Sequence, residues 1–264
     1  MRRCLLLLLC LLPLCLRVAG AQSPEPPKIA TQALIVPERP GTLSGDALAR
    51  VREMLERRAR ALGDNAAEFS AAEGGLRVRL RGRHAQRRLE LLTRTGMLEF
   101  RWLKKVRTAR NNRAPYLLQI VETQDRSRYA FQDARSGASV PLDRVLKESP
   151  LVLDRHDLRP DSALDVTSGA FLVVRVELTE EGTRKIRRFA REHVPTLLGV
   201  YLDSEFLASI PVTDRISKDV KNAEGYITGG YRDEVEARLL AAVINTGPLP
   251  VPVKVQDARY VPVE

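Results

Sequence analysis

After residue 15 the chain has no cysteine. Cys4, Cys10 and Cys15 all fall near the start, so the rest can form no disulfide, supply no thiolate nucleophile and offer no cysteine-ligated metal. Histidine is nearly as scarce: His84, His156 and His193 stand apart, none with a second His or Cys at ligand spacing. Each reads as a surface or capping residue rather than a ligand. Aromatic residues make up only 5%, which leaves the core to Leu, Val, Ile and Ala. Beyond residue 21 nothing approaches the run of about 20 apolar residues that spans a bilayer as a helix, which excludes an integral transporter. Catalytic signatures are missing too. There is no phosphate loop, no G-x-G-x-x-G, no H-E-x-x-H and no G-x-S-x-G, so neither an enzyme nor a cofactor is expected. The carboxylate pairs Glu180-Glu181 and Asp233-Glu234 each open a predicted helix, where the dipole alone favours acids.

What remains is a chain of 264 residues, 44% hydrophobic and 29% charged. That length and composition fit one or two folded domains, each able to bury a core. The first 21 residues are set aside. A basic start at Arg2-Arg3, an apolar block from Leu5 to Leu16 and the small-residue run Ala19-Gly20-Ala21 read as a cleaved secretory signal peptide. The expected location is therefore periplasmic or secreted, with anchoring by residues 5–21 as the alternative. Residues 22–29 form a Pro-rich tether.

Hydrophobic spacing then predicts the elements. Ala30 to Val36 reads as a strand. A helix capped by Ser44 carries Leu48, Val51, Leu55, Ala59 and Leu62 on one side and stops at Gly63. Ala67 to Ala71 is a short strand, and Leu76, Val78 and Leu80 alternate with Arg77, Arg79 and Arg81 in the next. Ala85, Leu89 and Leu92 mark a second helix, and Leu98, Phe100 and Trp102 a fourth strand. The order is β-α-β-β-α-β, the ferredoxin-like pattern with one sheet face covered by helices and one free. The fold class expected is α+β: a ferredoxin-like base with an inserted α+β head. Residues 30–105 form the base, 106–149 a connecting segment with a hairpin from Tyr116 to Phe131, 150–249 the head, and 250–264 a strand returning to the base. Within the head, Phe171 to Leu178 reads as a strand leading to a helix capped by Thr179, and Leu197 to Leu202 and Glu205 to Ile210 read as a strand pair joined by a tight turn at Asp203-Ser204. Residues 235–243 make a last helix closed by Gly247.

Charge is concentrated. Residues 77–113 hold 13 Lys and Arg against Glu90 and Glu99, while the full chain is +10. Arg77, Arg79, Arg81, Arg83, Arg87 and Arg88 read either as a solvated sheet face or as a site for acidic lipid or cell-wall polymer. Nucleic acid is not expected, because the stretch lacks the interleaved aromatics of an RNA-reading sheet.

Leu92 to Arg101, with Thr95-Gly96 and Leu98-Glu99-Phe100-Arg101, resembles SecD, the auxiliary subunit of the bacterial preprotein translocase. Four further stretches resemble it in the same order. They are Arg57 to Gly63; Leu178 to Gly182; Gly199 to Ser204 with Ala208 to Pro211; and Ile227 to Tyr231 with Gly247 to Pro252. The resemblance implies a first periplasmic domain of base and head, joined near residues 103–106 and 247–252, that assists export of polypeptides beside membrane translocase subunits. Ser204 stands where the family usually has Gly, and the family's charged intramembrane residues have no counterpart here. The expectation is thus a non-catalytic protein that binds polypeptide clients, with Tyr201, Phe206, Tyr226 and Tyr231 as contacts.

Overall fold

The computed structural model describes residues 29–41, 45–64, 66–81, 85–122, 127–160, 164–167, 171–213, 224–228 and 233–262. The leader, nearly all of the tether, Ser44, Arg83, His84 and Tyr231 lie outside the described residues. In chain order, the first half holds β1 (Ile29–Pro37), α1 (Gly45–Ala61), β2 (Glu68–Ala72), β3 (Gly75–Arg81), α2 (Ala85–Leu92) and β4 (Leu98–Trp102). There follow the hairpin β5 (Tyr116–Glu122) and β6 (Ser127–Asp133), then β7 (Ser139–Val140) and α3 (Leu142–Glu148). The second half holds β8 (Leu151–Asp154), a 3₁₀ turn (Arg155–Asp157), β9 (Leu164–Thr167), β10 (Phe171–Glu177) and α4 (Glu180–His193). It ends with β11 (Thr196–Leu202), β12 (Glu205–Val212), β13 (Glu224–Thr228), α5 (Glu234–Thr246) and β14 (Val253–Pro262).

The class is α+β, as the sequence implied. All paired strands of the described sheets are antiparallel, in the orders β14-β1-β3-β2, β13-β10-β9, β12-β11-β4-β8 and β5-β6-β7. One placement differs from expectation. The β-α-β-β-α-β order along the chain holds, but β4 does not enter the first sheet. The position beside β1 is taken by β14, while β4 lies between β11 and β8. Alternation fixes which face of a strand is buried, not which strand lies beside it. Leu98 and Phe100 reach the core beside Leu202 and Val200, their cross-strand partners on β11.

α1 forms because Val51, Leu55 and Ala59 recur at helical spacing and are all buried. Its outer face carries Arg52–Glu56 and Glu53–Arg57 pairs four residues apart. α4 starts where the Thr179 hydroxyl accepts the Gly182 N–H at 3.1 Å. α5 is apolar nearly all round, with Ala237 and Leu239 to Ile244 buried, as suits a helix covered on several sides. It packs against α1 and α2 of the first half and against β10 of the second. One apolar core therefore runs through both halves, from Ile35, Leu55 and Leu80 to Val174, Val200 and Ile227. A smaller core gathers Leu103, Val106, Tyr116, Phe131, Val140, Val145 and Tyr201. No helix among the described residues is long and apolar enough to cross a membrane.

Candidate functional site

Where α1, α2 and α5 converge, a single cation sits in the core. Arg58 follows Leu55 by three residues and precedes Leu62 by four, so helical geometry puts it on the apolar stripe of α1. It is fully buried. Its Nη1 donates to the Leu92 carbonyl at 2.9 Å and also to that of Arg94. Its Nη2 donates to Gly247 O at 2.9 Å and Thr95 O at 3.2 Å, and its Nε reaches Thr246 Oγ1 at 3.3 Å. Leu92 ends α2 and Gly247 caps α5. Carbonyls at helix C-termini lack intrahelical donors and carry partial negative charge. One guanidinium thus serves two helix ends together. Burial pushes Arg58 down to about 10, with Asp203 opposing the shift, so it remains charged at neutral pH.

Asp203 completes the knot. It lies with Ser204 in the tight β11–β12 turn, at φ values of 51° and 68°. Its carboxylate accepts the backbone N–H groups of Gly96 and Met97, both at 2.8 Å to Oδ1, and its own N–H donates to Met97 O at 2.9 Å. Gly96 has φ +91°, and a Cβ there would lie 2.7 Å from Arg58 Nη2 and 2.8 Å from Val243 Cγ1. Leu249 N–H bonds Thr95 O at 2.8 Å. Four of the five SecD-like stretches therefore meet around Arg58. Both segments expected to act as joints are hydrogen-bonded: Leu103 N–H to Leu197 O at 3.0 Å, and Glu38 N–H to Pro252 O at 3.0 Å.

Of the four aromatic residues expected as contacts, the three that are described, Tyr201, Phe206 and Tyr226, do not form one site. Tyr201 has no exposed surface, and burial pushes its phenol up to about 12. It belongs to the smaller core and is withdrawn as a direct contact. Phe206 is half-buried and meets Tyr201, Phe131 and Tyr129 edge-on, with ring centroids 5.1–5.2 Å apart. Tyr226 is exposed, but on β13 in a different sheet. What sequence reasoning missed lies beside Phe206. Tyr129 pairs across the hairpin with Ile120, which is 64% exposed, and Val121 beside it is 42% exposed. β5 is the outer strand of its sheet. On that outer side its first residue, Tyr116, donates its N–H to Lys105 O at 3.0 Å and accepts the Arg107 N–H at 2.8 Å, and no strand pairs beside the rest of it among the described residues. The run Tyr-Leu-Leu-Gln-Ile-Val is uncharged, unlike most natural edge strands, and this was the available signal.

The arginine set also divides. On α2, Arg87 bonds Asp233 at 2.8 Å and Glu236 at 2.6 Å, and the Glu236 hydrogen bond holds its guanidinium above the ordinary arginine value. Arg88 pairs with the buried Asp64 at 2.9 Å. Both are neutralised within the protein and are not free to hold an external anion. On β3, Arg81 meets Glu68 at 3.2 Å and Arg79 donates to Pro262 O at 3.0 Å, while Arg77 is exposed. His193 stacks on Trp102 at 4.1 Å, and His156 is exposed in the 3₁₀ turn. Among the described residues no group of three His, Asp or Glu is placed to hold a metal ion.

This architecture has known relatives. Residues 138–251 match the family model described as SecDF, P1 head subdomain. The chain is 26% identical over 230 residues to the protein translocase subunit SecD of Leptotrichia buccalis, covering 86% of this chain and 46% of that one. The fold resembles SecDF solved in a super-membrane-facing form, with a TM-score of 0.60 and 22% identity over 88% of this chain and 30% of that one. It also resembles a structure described as a membrane component SecDF that enhances protein export, with a TM-score of 0.56 and 22% identity over 86% of this chain and 99% of that one. The chain thus shares the α+β fold of these solved structures. The particular resemblance read from its motifs, to SecD, is borne out, and the chain spans about half the length of that curated relative.

Proposed function

We propose that this chain is an exported, non-catalytic SecD-like protein that holds extended polypeptide and assists translocation outside the cytoplasm, beside membrane translocase subunits. The sheet built on β1 and β3 serves as the base, and the sheets around β10 and β11 as the head. The likeness to protein translocase subunit SecD supports the translocation role. The observation that carries polypeptide binding is the outer strand β5, with Ile120 and Val121 exposed and Phe206 half-buried behind Tyr129. An unpaired strand edge bonds an extended backbone whatever its sequence, and apolar pockets beside it add affinity for hydrophobic segments. That is the chemistry a protein needs when its clients share no sequence.

The test is binding of an unfolded secretory polypeptide to the full chain, with a photo-crosslinker at position 120 and, as control, at position 53 on α1. Crosslinks should form from 120 and not from 53. Ile120→Lys with Val121→Lys should weaken binding about tenfold, since two exposed apolar contacts at ~25 cal/mol per Å² are lost. Equal crosslinking from both positions, or unchanged affinity in a folded double variant, rejects β5 as the client site.

A further inference from the structure

The first sheet has a face that the helices do not cover. Its composition becomes visible only once β14 is placed beside β1. Gln32, Leu34 and Val36 of β1 point to this face, since Ala33 and Ile35 between them are buried in the core. Cross-strand partners share a face. The register puts Arg79 and Arg259 on either side of Gln32, Arg77 and Gln256 on either side of Leu34, and Lys254 beside Val36. Arg81 and Glu68 stand on the same face. Five cations from strands far apart in sequence therefore flank a central row in which Leu34 and Val36 are half-buried and apolar.

Unpaired cations are not confined to this face, since Arg50 and Arg60 on α1 and Arg188 and Arg191 on α4 also lack a side-chain partner among the described residues. What sets this face apart is that its cations are gathered on one sheet surface. On α1, α2, α4 and α5, Arg52, Arg57, Arg87, Arg88, Arg184 and Arg238 each have a carboxylate partner. On the open face Arg81 alone has one, Glu68. The side chains of Arg77, Lys254 and Arg259 have no hydrogen bond or ion pair among the described residues. Arg77 and Arg259 line, with Gln32, Leu34 and Asp257, a shallow cleft of about 490 Å³. Asp257 is the other acid in this region, so the face keeps a positive excess. Like charges gathered without counter-charge repel one another, and an external anion relieves that. Among the described residues of this face no aromatic side chain offers a platform for a base, which disfavours nucleic acid.

We propose that this open sheet face docks on an anionic lipid surface, with Arg77, Arg259 and Lys254 meeting headgroup phosphates and Leu34 and Val36 facing the acyl boundary. Flat basic surfaces with an apolar centre are what interfacial binding uses. This docking is independent of client binding at β5.

The experiment is co-sedimentation of the full chain with vesicles of phosphatidylcholine alone or with 30% phosphatidylglycerol. Binding should require the anionic lipid and fall about tenfold between low and high salt, as surface electrostatics are screened. Arg77→Gln with Arg259→Gln should reduce partitioning about thirtyfold, at about fivefold per cation near a charged membrane. Arg52→Gln with Arg57→Gln on α1 should leave it unchanged. Binding to both vesicle types without salt dependence would point to insertion of the apolar start of the chain and overturn the proposal. Capture by a soluble acidic polymer with no vesicle binding would equally overturn it. So would a folded Arg77/Arg259 variant that partitions like the parent.

Discussion

Arg58 and Arg77 carry the same side chain and meet opposite fates. Arg58 lies on the buried stripe of α1, and its five hydrogen bonds run to four backbone carbonyls and one hydroxyl. Arg77 lies on the open face of β3, and its side chain holds none among the described residues. The difference teaches where this protein uses positive charge for structure and where it leaves it for something outside. A buried guanidinium is tolerated only when its donors are matched. An exposed one gains little from any single partner. Arg58 should therefore dominate stability and leave surface binding alone, while Arg77 should do the reverse.

Removing Arg58 is the harshest way to probe this contrast. Arg58→Met leaves carbonyls of Leu92, Arg94, Thr95 and Gly247 without their donor. An orphaned buried polar group costs ~1–3 kcal/mol, so a total loss of about 4 kcal/mol is expected in urea unfolding. Arg58→Lys should lose less, because an ammonium keeps the charge but cannot fork to so many acceptors. A loss below about 1 kcal/mol for the Met variant would remove Arg58 from its central place.

Gly96→Ala strains the same knot from the other side. The new methyl would press on Arg58 and Val243 at a backbone φ of +91°, and about 2–3 kcal/mol should be lost. Part of that loss should disappear in the Arg58→Met background, since one of the two overlaps goes with the guanidinium. Additive losses would mean that the positive φ alone sets the cost.

Much of this was legible in the sequence, for definable reasons. Strands β1, β3 and β4 follow from alternation, and α1, α4 and α5 from spacing and caps, because local geometry decides them. The turn at Asp203-Ser204 was legible for the same reason. The neighbour of β4 was not, since its partners β11 and β8 come from distant parts of the chain and pairing depends on packing. α3 was missed because its seven residues bury only Val145, too little for a periodic signal. Arg58 had a signal that went unread: an arginine between Leu55 and Leu62 on an apolar stripe. The arginine set at 77–88 gave the reverse error. Six cations looked alike in sequence, yet the acids that neutralise Arg87 lie on α5, and Arg259 and Lys254, which extend the free set, lie on β14.

The pair formed by Arg87 and Asp233 stands between the two extremes. Asp233 caps α5, accepting the Glu236 N–H at 3.1 Å. Burial disfavours its charged form, but the Glu236 N–H and Arg87 outweigh this and hold its carboxyl below the ordinary aspartate range. A depressed carboxyl contributes stability at pH above its unfolded value, and that contribution is lost as pH falls through the folded value. Asp233→Ala should therefore cost about 1 kcal/mol at pH 7. Thermal melts of the two proteins should converge as pH falls below the ordinary aspartate range. A constant difference down to pH 2.5, well into ~1.4 units below the reference value of about 3.9, would mean that the side chain acts through packing instead.

The smallest expected effect is the sharpest counterpart to Arg58. Arg77→Gln with Arg259→Gln removes two cations that have no partner to lose, so stability should stay within about 0.5 kcal/mol of the parent. The sign at low salt should be slightly stabilising, because Arg259 and Arg79 flank Gln32 across β1 and repel one another through solvent. That gain should vanish at high ionic strength, where the Debye length shrinks to about 3 Å. A clear destabilisation in both conditions would mean that these arginines hold the sheet together through their aliphatic stems. The open face would then be a structural surface like that of α1, and the contrast with Arg58 would lose its meaning.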